Sequence, residues 1–274
     1  MIVTRFAPSP TGLLHLGHAF AAITAAEAGE RFLLRIEDID IARCKPEFEA
    51  AIYGDLAWLG LDWEQPVLRQ SARFEAYRAA LDALHAQDLL YPCFCTRKEI
   101  AEEIARATGA PHGPEGPLYP GTCRKLSDDV RKARIAAGDS YALRLDVHAA
   151  AERAGKLMFE EKDRGAIEVD PLLFGDVVLA RKEIPASYHL AVVVDDAFQG
   201  VTLVTRGNDL FAATHVQRLL QNLLRLPAPA YAHHRLILDE HGKKFSKRDS
   251  AVTLRSLRES GVTPEEIRER LTNR

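Results

Sequence analysis

Two histidines, His15 and His18, lie three residues apart where a proline-rich loop gives way to a helical pattern of apolar residues, Leu16, Phe20 and Ile23. The loop follows a short β-branched run over 2–4 and carries Pro8, Pro10 and Gly12. A strand therefore feeds a tight, irregular turn, and the turn feeds a helix start. A helix start presents unpaired N–H groups and a partial positive charge, which is a phosphate site. Two imidazoles beside it can hydrogen-bond a phosphoryl group crowded in its transition state. The bland alternative is a pair of helix-start histidines satisfied by backbone. Neither a Walker loop nor a Gly-x-Gly-x-x-Gly turn occurs in the chain. Far downstream, Lys244 and Lys247 stand three apart in Lys-Lys-Phe-Ser-Lys-Arg, just after the apolar run over 236–238. On a mobile loop they can neutralise phosphate charge as a leaving group departs. Alone, a lysine-rich hexamer is read as well as a solvated loop.

Three further charged positions sit where strands end. Arg5 ends the first β-branched run, Glu37 follows a strand expected over 31–36, and Arg206 follows one expected over 202–205. Open α/β sheets bind ligands in the crevice outside the carboxyl ends of their strands. An arginine there can pair bidentately with a carboxylate, and Glu37 can hold an ammonium group. Tyr188 precedes a continuous apolar run over 190–194, which reads as a strand buried on both faces. A further set carries metal chemistry: Cys93 and Cys95 are two apart, and Cys123 follows 28 residues after Cys95. Three thiolates in a small, Pro/Gly-rich unit suit tetrahedral zinc, which would staple a segment with little core. Spacing leaves the fourth ligand open among His112, Tyr119 and His85, with histidine the commoner zinc ligand. Cys44 stands apart as ordinary filling.

The elements that must position these groups alternate between strand and helix. Pro46 opens a helix that stops at Gly60; Ser71 reads as the cap of the next, with Phe74, Tyr77, Leu81 and Leu84 on one face. Two such helices between strands suit a crossover on a parallel sheet. After the cysteine unit come strands over 141–145, 156–162 and 176–181, then the return to the sheet. A helix over 210–224 follows, and Thr263-Pro-Glu-Glu266 forms a capping box for one last helix. The division expected is 1–90 for the first half of a Rossmann-like catalytic unit, 91–185 for a zinc-containing insertion, and 186–274 for the second half. At 274 residues with 47% apolar and 27% charged residues, the chain has ample material for a core. No stretch approaches the roughly 20 apolar residues of a membrane span, and no signal peptide is visible. Four irregularly spaced cysteines make no secreted disulfide framework, so the cytoplasm is expected. The net charge of −3 argues against general nucleic-acid binding but allows a local basic groove.

Two motifs about 230 residues apart resemble the paired signatures of class I aminoacyl-tRNA synthetases: His15-Leu-Gly-His18 the first, Lys244-Phe-Ser-Lys247 the second. Arg5-Phe-Ala-Pro-Ser-Pro-Thr-Gly12, Arg35-Ile-Glu-Asp-Ile-Asp40, Ala191-Val-Val-Val-Asp-Asp196 and Val204-Thr-Arg-Gly207 resemble the glutamate branch of that class. The resemblance spans nearly the whole chain. It implies an α/β fold: a Rossmann-like parallel sheet with an inserted zinc-binding, acceptor-stem-type α+β subdomain. It also implies a ligase that forms glutamyl-adenylate from L-glutamate and ATP with Mg²⁺. His15, Gly17, His18 and Lys247 would meet the ATP, with His15, His18, Lys244 and Lys247 catalytic. Arg5, Ala7, Ser9, Glu37, Tyr188 and Arg206 would hold glutamate, Arg5 reading its side chain. The resemblance also selects Tyr119 as fourth ligand to one structural zinc, with Cys93, Cys95 and Cys123. Only 26 residues follow Arg248, so no anticodon-binding domain is expected, and Gly207-Asn-Asp-Leu210 departs from the Gly-Glu-Asp-His usual in full-length members. Short members with these features attach glutamate to queuosine, the modified base in the tRNA(Asp) anticodon. That anticodon stem-loop is the partner implied; a monomer away from membranes is expected. The alternatives are a shortened glutamyl-tRNA synthetase charging the tRNA 3′ end, and an RNA-binding paralogue with dead chemistry, against which the intact signatures argue.

Overall fold

A computed structural model describes residues 1–106, 112–182, 184–238 and 252–272. The chain opens with β1 (Val3–Phe6), α1 (Leu16–Ala28), β2 (Arg31–Ile36), α2 (Pro46–Trp58), β3 (Glu64–Arg69) and α3 (Phe74–His85). β4 (Leu90–Cys93), α4 (Arg97–Arg106), the two-residue strands β5 (His112–Gly113) and β6 (Gly116–Pro117), α5 (Asp128–Ala136), β7 (Ala142–Leu145) and α6 (Val147–Ala154) follow. Next come β8 (Met158–Glu161), β9 (Gly165–Glu168), β10 (Val178–Arg181), α7 (Tyr188–Phe198), β11 (Leu203–Gly207), α8 (Ala213–Leu223) and β12 (Ala230–His234). The described chain ends in α9 (Leu254–Glu259) and α10 (Pro264–Thr272).

β3, β2 and β1 pair in parallel, and so do β11, β12 and β8. β11 lies beside β1: the Thr202 N–H donates to the Val3 carbonyl at 3.0 Å, and the Val3 N–H to the Thr202 hydroxyl at 2.9 Å. The spatial order β3-β2-β1-β11-β12 is that of a doubly wound sheet, and the order in which strands are added reverses between β1 and β11. Helices cover both faces. α1, α2, α9 and α10 close a core around Leu14, Leu34, Ile36, Ile52 and Leu254. On the other face α3, α6, α7 and α8 close one around Tyr77, Leu84, Leu145, Leu190 and Leu219. The antiparallel strands β10-β7-β4 contribute Leu90, Leu145 and Leu179 to that second core. The hairpin β8–β9, inside the span expected for the insertion, extends the parallel sheet at β12.

The structure corrects the sequence reading in three places. The apolar run over 190–194 is helix α7, not a strand. Ser187 caps it, its hydroxyl accepting from the Leu190 N–H, and the helix is buried nearly all round, which erases the alternation that separates helix from strand. β3 was not expected: Glu64–Arg69 shows no apolar alternation because it lies at the sheet edge with its side chains exposed or half-buried. Ser71 does not cap α3. It sits in a 3₁₀ turn, Gln70–Arg73, and its N–H and hydroxyl both donate to Asp38. The capping box at the last helix stands as expected, with Thr263 N–H donating to Glu266 Oε2 at 2.8 Å and Glu266 N–H to Thr263 Oγ1 at 3.3 Å.

Candidate active site

His15 is the N-cap of α1 and His18 its third residue. His15 Nδ1 accepts from the Gly17 N–H at 3.1 Å, and His18 Nδ1 accepts from the His15 N–H at 3.2 Å. The two imidazoles form a reciprocal capping box, 3.8 Å between centroids. Backbone satisfaction and phosphate chemistry are therefore not alternatives. With Nδ1 accepting in each ring, the neutral tautomer carries its hydrogen on Nε2, a donor suited to a phosphoryl oxygen. Gly17 leaves room for this packing, since a Cβ there would stand 3.1 Å from His15 Cε1 and would make the ring shift by a few tenths of an ångström. Lys244 and Lys247 lie outside the described residues. The chain that resumes after them is fastened to the histidine turn: the Leu254 N–H donates to the Leu14 carbonyl at 2.8 Å, and Thr253 bridges to His15.

Arg5 and Arg206 emerge near the carboxyl ends of the adjacent strands β1 and β11. Arg5 is buried and donates through Nε to Asp196 Oδ1 at 3.0 Å, through NH2 to Asp196 Oδ2 at 3.4 Å and through NH1 to the Thr205 carbonyl at 3.3 Å. Asp196 also receives Arg35 at 2.7 Å, and Arg35 reaches Glu37 at 3.2 Å. Two guanidinium groups and two carboxylates thus form a buried, alternating row. Burial works against the Asp196 charge, but Arg5 and Arg35 outweigh it and hold that carboxyl below the usual range. At Glu37 burial wins over Arg35 and Arg5, and its carboxyl is pushed up. A ligand ammonium would add a second cation beside Arg35 at Glu37.

Arg206 is buried among neutral groups. Nε donates to His233 Nε2 at 3.0 Å, NH1 to Gln217 Oε1 at 2.7 Å and to the Tyr188 hydroxyl at 3.4 Å, and NH2 to Thr214 Oγ1 at 2.7 Å. The structure thus joins Arg5 to Glu37 through Asp196 and Arg35, and Tyr188 to Arg206. Ala7 and Ser9 are half-buried in the loop after β1, where the Thr11 N–H donates to the Ser9 carbonyl at 2.8 Å. Arg35, Asp196, Thr214, Gln217, His233 and Glu161 carry no assigned role in the sequence reading. Their signal was polarity at buried positions, as with Arg35 inside Phe-Leu-Leu-Arg-Ile.

The three cysteines converge at the end of β4 and in the 3₁₀ turn Thr122–Lys125, with their sulfurs all within 4.8 Å of one another. Cys95 Sγ lies 3.4 Å from Cys123 Sγ. The Tyr119 hydroxyl lies 3.4 Å from Cys93 Sγ and 3.5 Å from Cys95 Sγ. Tetrahedral zinc bonded to sulfur and oxygen at its ordinary lengths sets ligand atoms about 3.5–3.8 Å apart, so this donor set fits the ion. Tyr119 rather than His112 stands against the sulfurs among the distances found; His112 is exposed on β5 and His85 on the last turn of α3. The Phe94 N–H donates to Cys123 Sγ at 3.4 Å, as a metal-held thiolate requires of its surroundings. Without a cation, burial pushes the Cys95 thiol up to about 12.

Comparison with known proteins fits this geometry. The model of the family described as tRNA synthetases class I (E and Q), catalytic domain, matches residues 1–274. The chain belongs to that family and is a ligase of the aminoacyl-tRNA synthetase type. It is 53% identical to the glutamyl-Q tRNA(Asp) synthetase of Rhodobacter capsulatus, over 97% of this chain and 98% of that protein. It is 40% identical to the glutamate–tRNA ligase of Aquifex aeolicus, over 97% of this chain and 55% of that protein. Among solved structures, the glutamate tRNA ligase of Elizabethkingia meningosepticum in complex with its amino acid superposes with a TM-score of 0.73 at 29% identity, covering 90% of this chain and 52% of that one. The chain thus spans about half the length of the full glutamate ligases it matches. No helix among the described residues is long and apolar enough to cross a membrane.

Proposed function

We propose that the protein activates L-glutamate with ATP and transfers the glutamyl group to the queuosine base at the wobble position of the tRNA(Asp) anticodon, in the cytoplasm and as a monomer. The observation that carries this is the match to a glutamyl-Q tRNA(Asp) synthetase along 98% of its length, against 55% for a glutamate–tRNA ligase. In the first step a glutamate α-carboxylate oxygen attacks the α-phosphorus of ATP. The bond from that phosphorus to the β-bridging oxygen breaks, and pyrophosphate leaves. His15 and His18 stabilise the α-phosphate from the start of α1, the backbone at Gly17 approaches it, and Lys244 and Lys247 neutralise the departing charge. Mg²⁺ accompanies ATP, held mainly by phosphate and water. Glu37 takes the ammonium, Arg5 the side-chain carboxylate and Arg206 a second carboxylate contact, with Tyr188, Ala7 and Ser9 completing the pocket. Leaving a buried charge unpaired costs about 3–5 kcal/mol, so glutamine is rejected. In the second step a nucleophilic group of the base attacks the glutamyl carbonyl and AMP leaves; an unstacked anticodon loop can present that base in a pocket.

One zinc ion held by Cys93, Cys95, Tyr119 and Cys123 staples the span 91–185 between the two halves of the catalytic unit, and its role is structural. Elemental analysis of purified protein should find about one equivalent, lost in Cys123→Ser; less than about half an equivalent contradicts the site. ATP–pyrophosphate exchange tests the first step: it should depend on glutamate, ignore glutamine, and disappear in Arg5→Ala. Exchange at the normal rate in a folded Arg5→Ala protein would refute the pocket.

A further inference from the structure

The row Glu161, His233, Arg206 runs across β8, β12 and β11 into the pocket, and the reaction as written does not use its outer two members. Glu161 is 2% exposed and comes from β8, which lies against β12 with Glu161 opposite Tyr231. Its two oxygens grip one residue: Oε1 accepts from the His233 backbone N–H at 2.8 Å, and Oε2 lies 2.6 Å from His233 Nδ1. Since His233 Nε2 accepts from Arg206, the ring proton sits on Nδ1 and is donated to Glu161. His233 and Arg206 are register partners across β12 and β11, so their side chains share one face of the sheet. The ring is further fixed by Tyr231, stacked at an interplanar angle of 6°, and by the edge contact with Phe211. Burial and the neighbouring Arg206 push His233 down to about 4, so the imidazole is neutral near pH 7.

Arg206 itself is 5% exposed, and among the described residues no carboxylate lies within ion-pair distance of it. Four of the five guanidinium N–H donors are engaged by His233, Tyr188, Gln217 and Thr214, all neutral. A buried cation needs a balancing charge. The one at hand, Glu161, is held off by the width of an imidazole.

We propose that Glu161 and His233 are positioning residues for Arg206: the ring is a spacer that fixes the guanidinium plane and keeps its counter-carboxylate one residue away, so that Arg206 faces the carboxylate of the amino-acid substrate. A carboxylate in direct contact would compete with the substrate for the guanidinium's charge and donors. The inference rests on the glutamate-activating reading and adds the residues that set affinity for the amino acid.

The test is ATP–pyrophosphate exchange with glutamate and ATP varied in turn, on wild type, His233→Ala, His233→Gln and Glu161→Gln, each checked for folding by circular dichroism. Removing the acceptor of a buried charged donor should raise KM for glutamate about ten-fold or more in His233→Ala, with KM for ATP and kcat changed by less than about three-fold. His233→Gln keeps an acceptor toward Arg206 Nε and should recover part of the loss. Glu161→Gln should raise KM for glutamate about three-fold, because its amide oxygen still accepts from one His233 N–H. If His233→Ala does not fold, the other two variants carry the test. A glutamate KM within about two-fold of wild type in all folded variants, or a parallel rise for both substrates, overturns the assignment. That result with wild-type exchange running overturns this inference alone; no glutamate-dependent exchange in wild type overturns the proposed function and this inference with it.

Discussion

Arg5 and Arg206 each stand second from the end of neighbouring strands, both buried, both at the point where the strand order reverses. Their charges are handled in opposite ways. Arg5 meets Asp196 directly, and Asp196 in turn binds Arg35, so this end of the pocket is a closed row of alternating ions. Among the described residues Arg206 meets only neutral groups, and its balancing carboxylate is relayed through His233. A direct buried pair spends its Coulomb attraction on its own desolvation and gives a rigid anchor. A spaced pair leaves a cation whose charge still acts on what enters. The sheet therefore builds, from two like residues at like positions, one anchored arginine and one responsive arginine.

The comparison breaks most visibly in stability. Arg5→Met leaves Asp196 buried with one of its two cations gone and should cost about 3–5 kcal/mol in denaturant unfolding. Arg206→Met strands only neutral groups in direct contact, leaves Glu161 both of its hydrogen bonds to His233, and should cost about 1–3 kcal/mol. Equal losses would erase the distinction. Acid sharpens it next. The His233 ring, pushed down to about 4 from 6.5, takes up a proton in the unfolded chain before it does so in the fold. Stability should therefore fall as pH drops from about 6.5 to about 4, and more shallowly in His233→Gln. His189, also pushed down to about 4 by burial and Arg206, supplies an unchanged background in both proteins. The Asp196 carboxyl, held low by Arg5 and Arg35, keeps its charge through this window, while Glu37, pushed up by burial, takes up a proton in the fold before it does so in the unfolded chain and contributes with the opposite sign, equally in both proteins. The smallest effect is at Tyr188. Tyr188→Phe removes a long 3.4 Å contact to Arg206. It should change stability by less than about 1 kcal/mol while raising KM for glutamate about three-fold. A larger loss of stability there would make Tyr188 part of the anchor rather than of the responsive end.

The residues that touch ligand in the proposed reaction were legible because their types and spacing are unusual. Two histidines across Leu-Gly, an arginine before Phe-Ala-Pro-Ser-Pro, and Cys-x-Cys with a distant Cys leave few chemical uses. Their supports were not legible. Asp196 and Glu161 are ordinary acidic residues until folding brings them to Arg5 and His233, 191 and 72 positions away in the chain. Helix α7 was misread because full burial removes periodicity, and β3 was missed because an exposed edge strand has none to show. Of the metal set, bare chemistry favours His112, histidine being the commoner zinc ligand, and only the resemblance points to Tyr119. The distances from the Tyr119 hydroxyl to two sulfurs come from the turn over 119–123, where the Cys123 N–H donates to the same hydroxyl at 2.9 Å, a contact no spacing rule encodes.

The measurement closest to the central claim is transfer of labelled glutamate to tRNA(Asp) that carries queuosine and has its 3′ end trimmed, so that no terminal ribose can be charged. The account predicts label on the trimmed tRNA, and none when guanosine replaces queuosine. Label confined to intact tRNA(Glu), charged at its 3′ end, would contradict it.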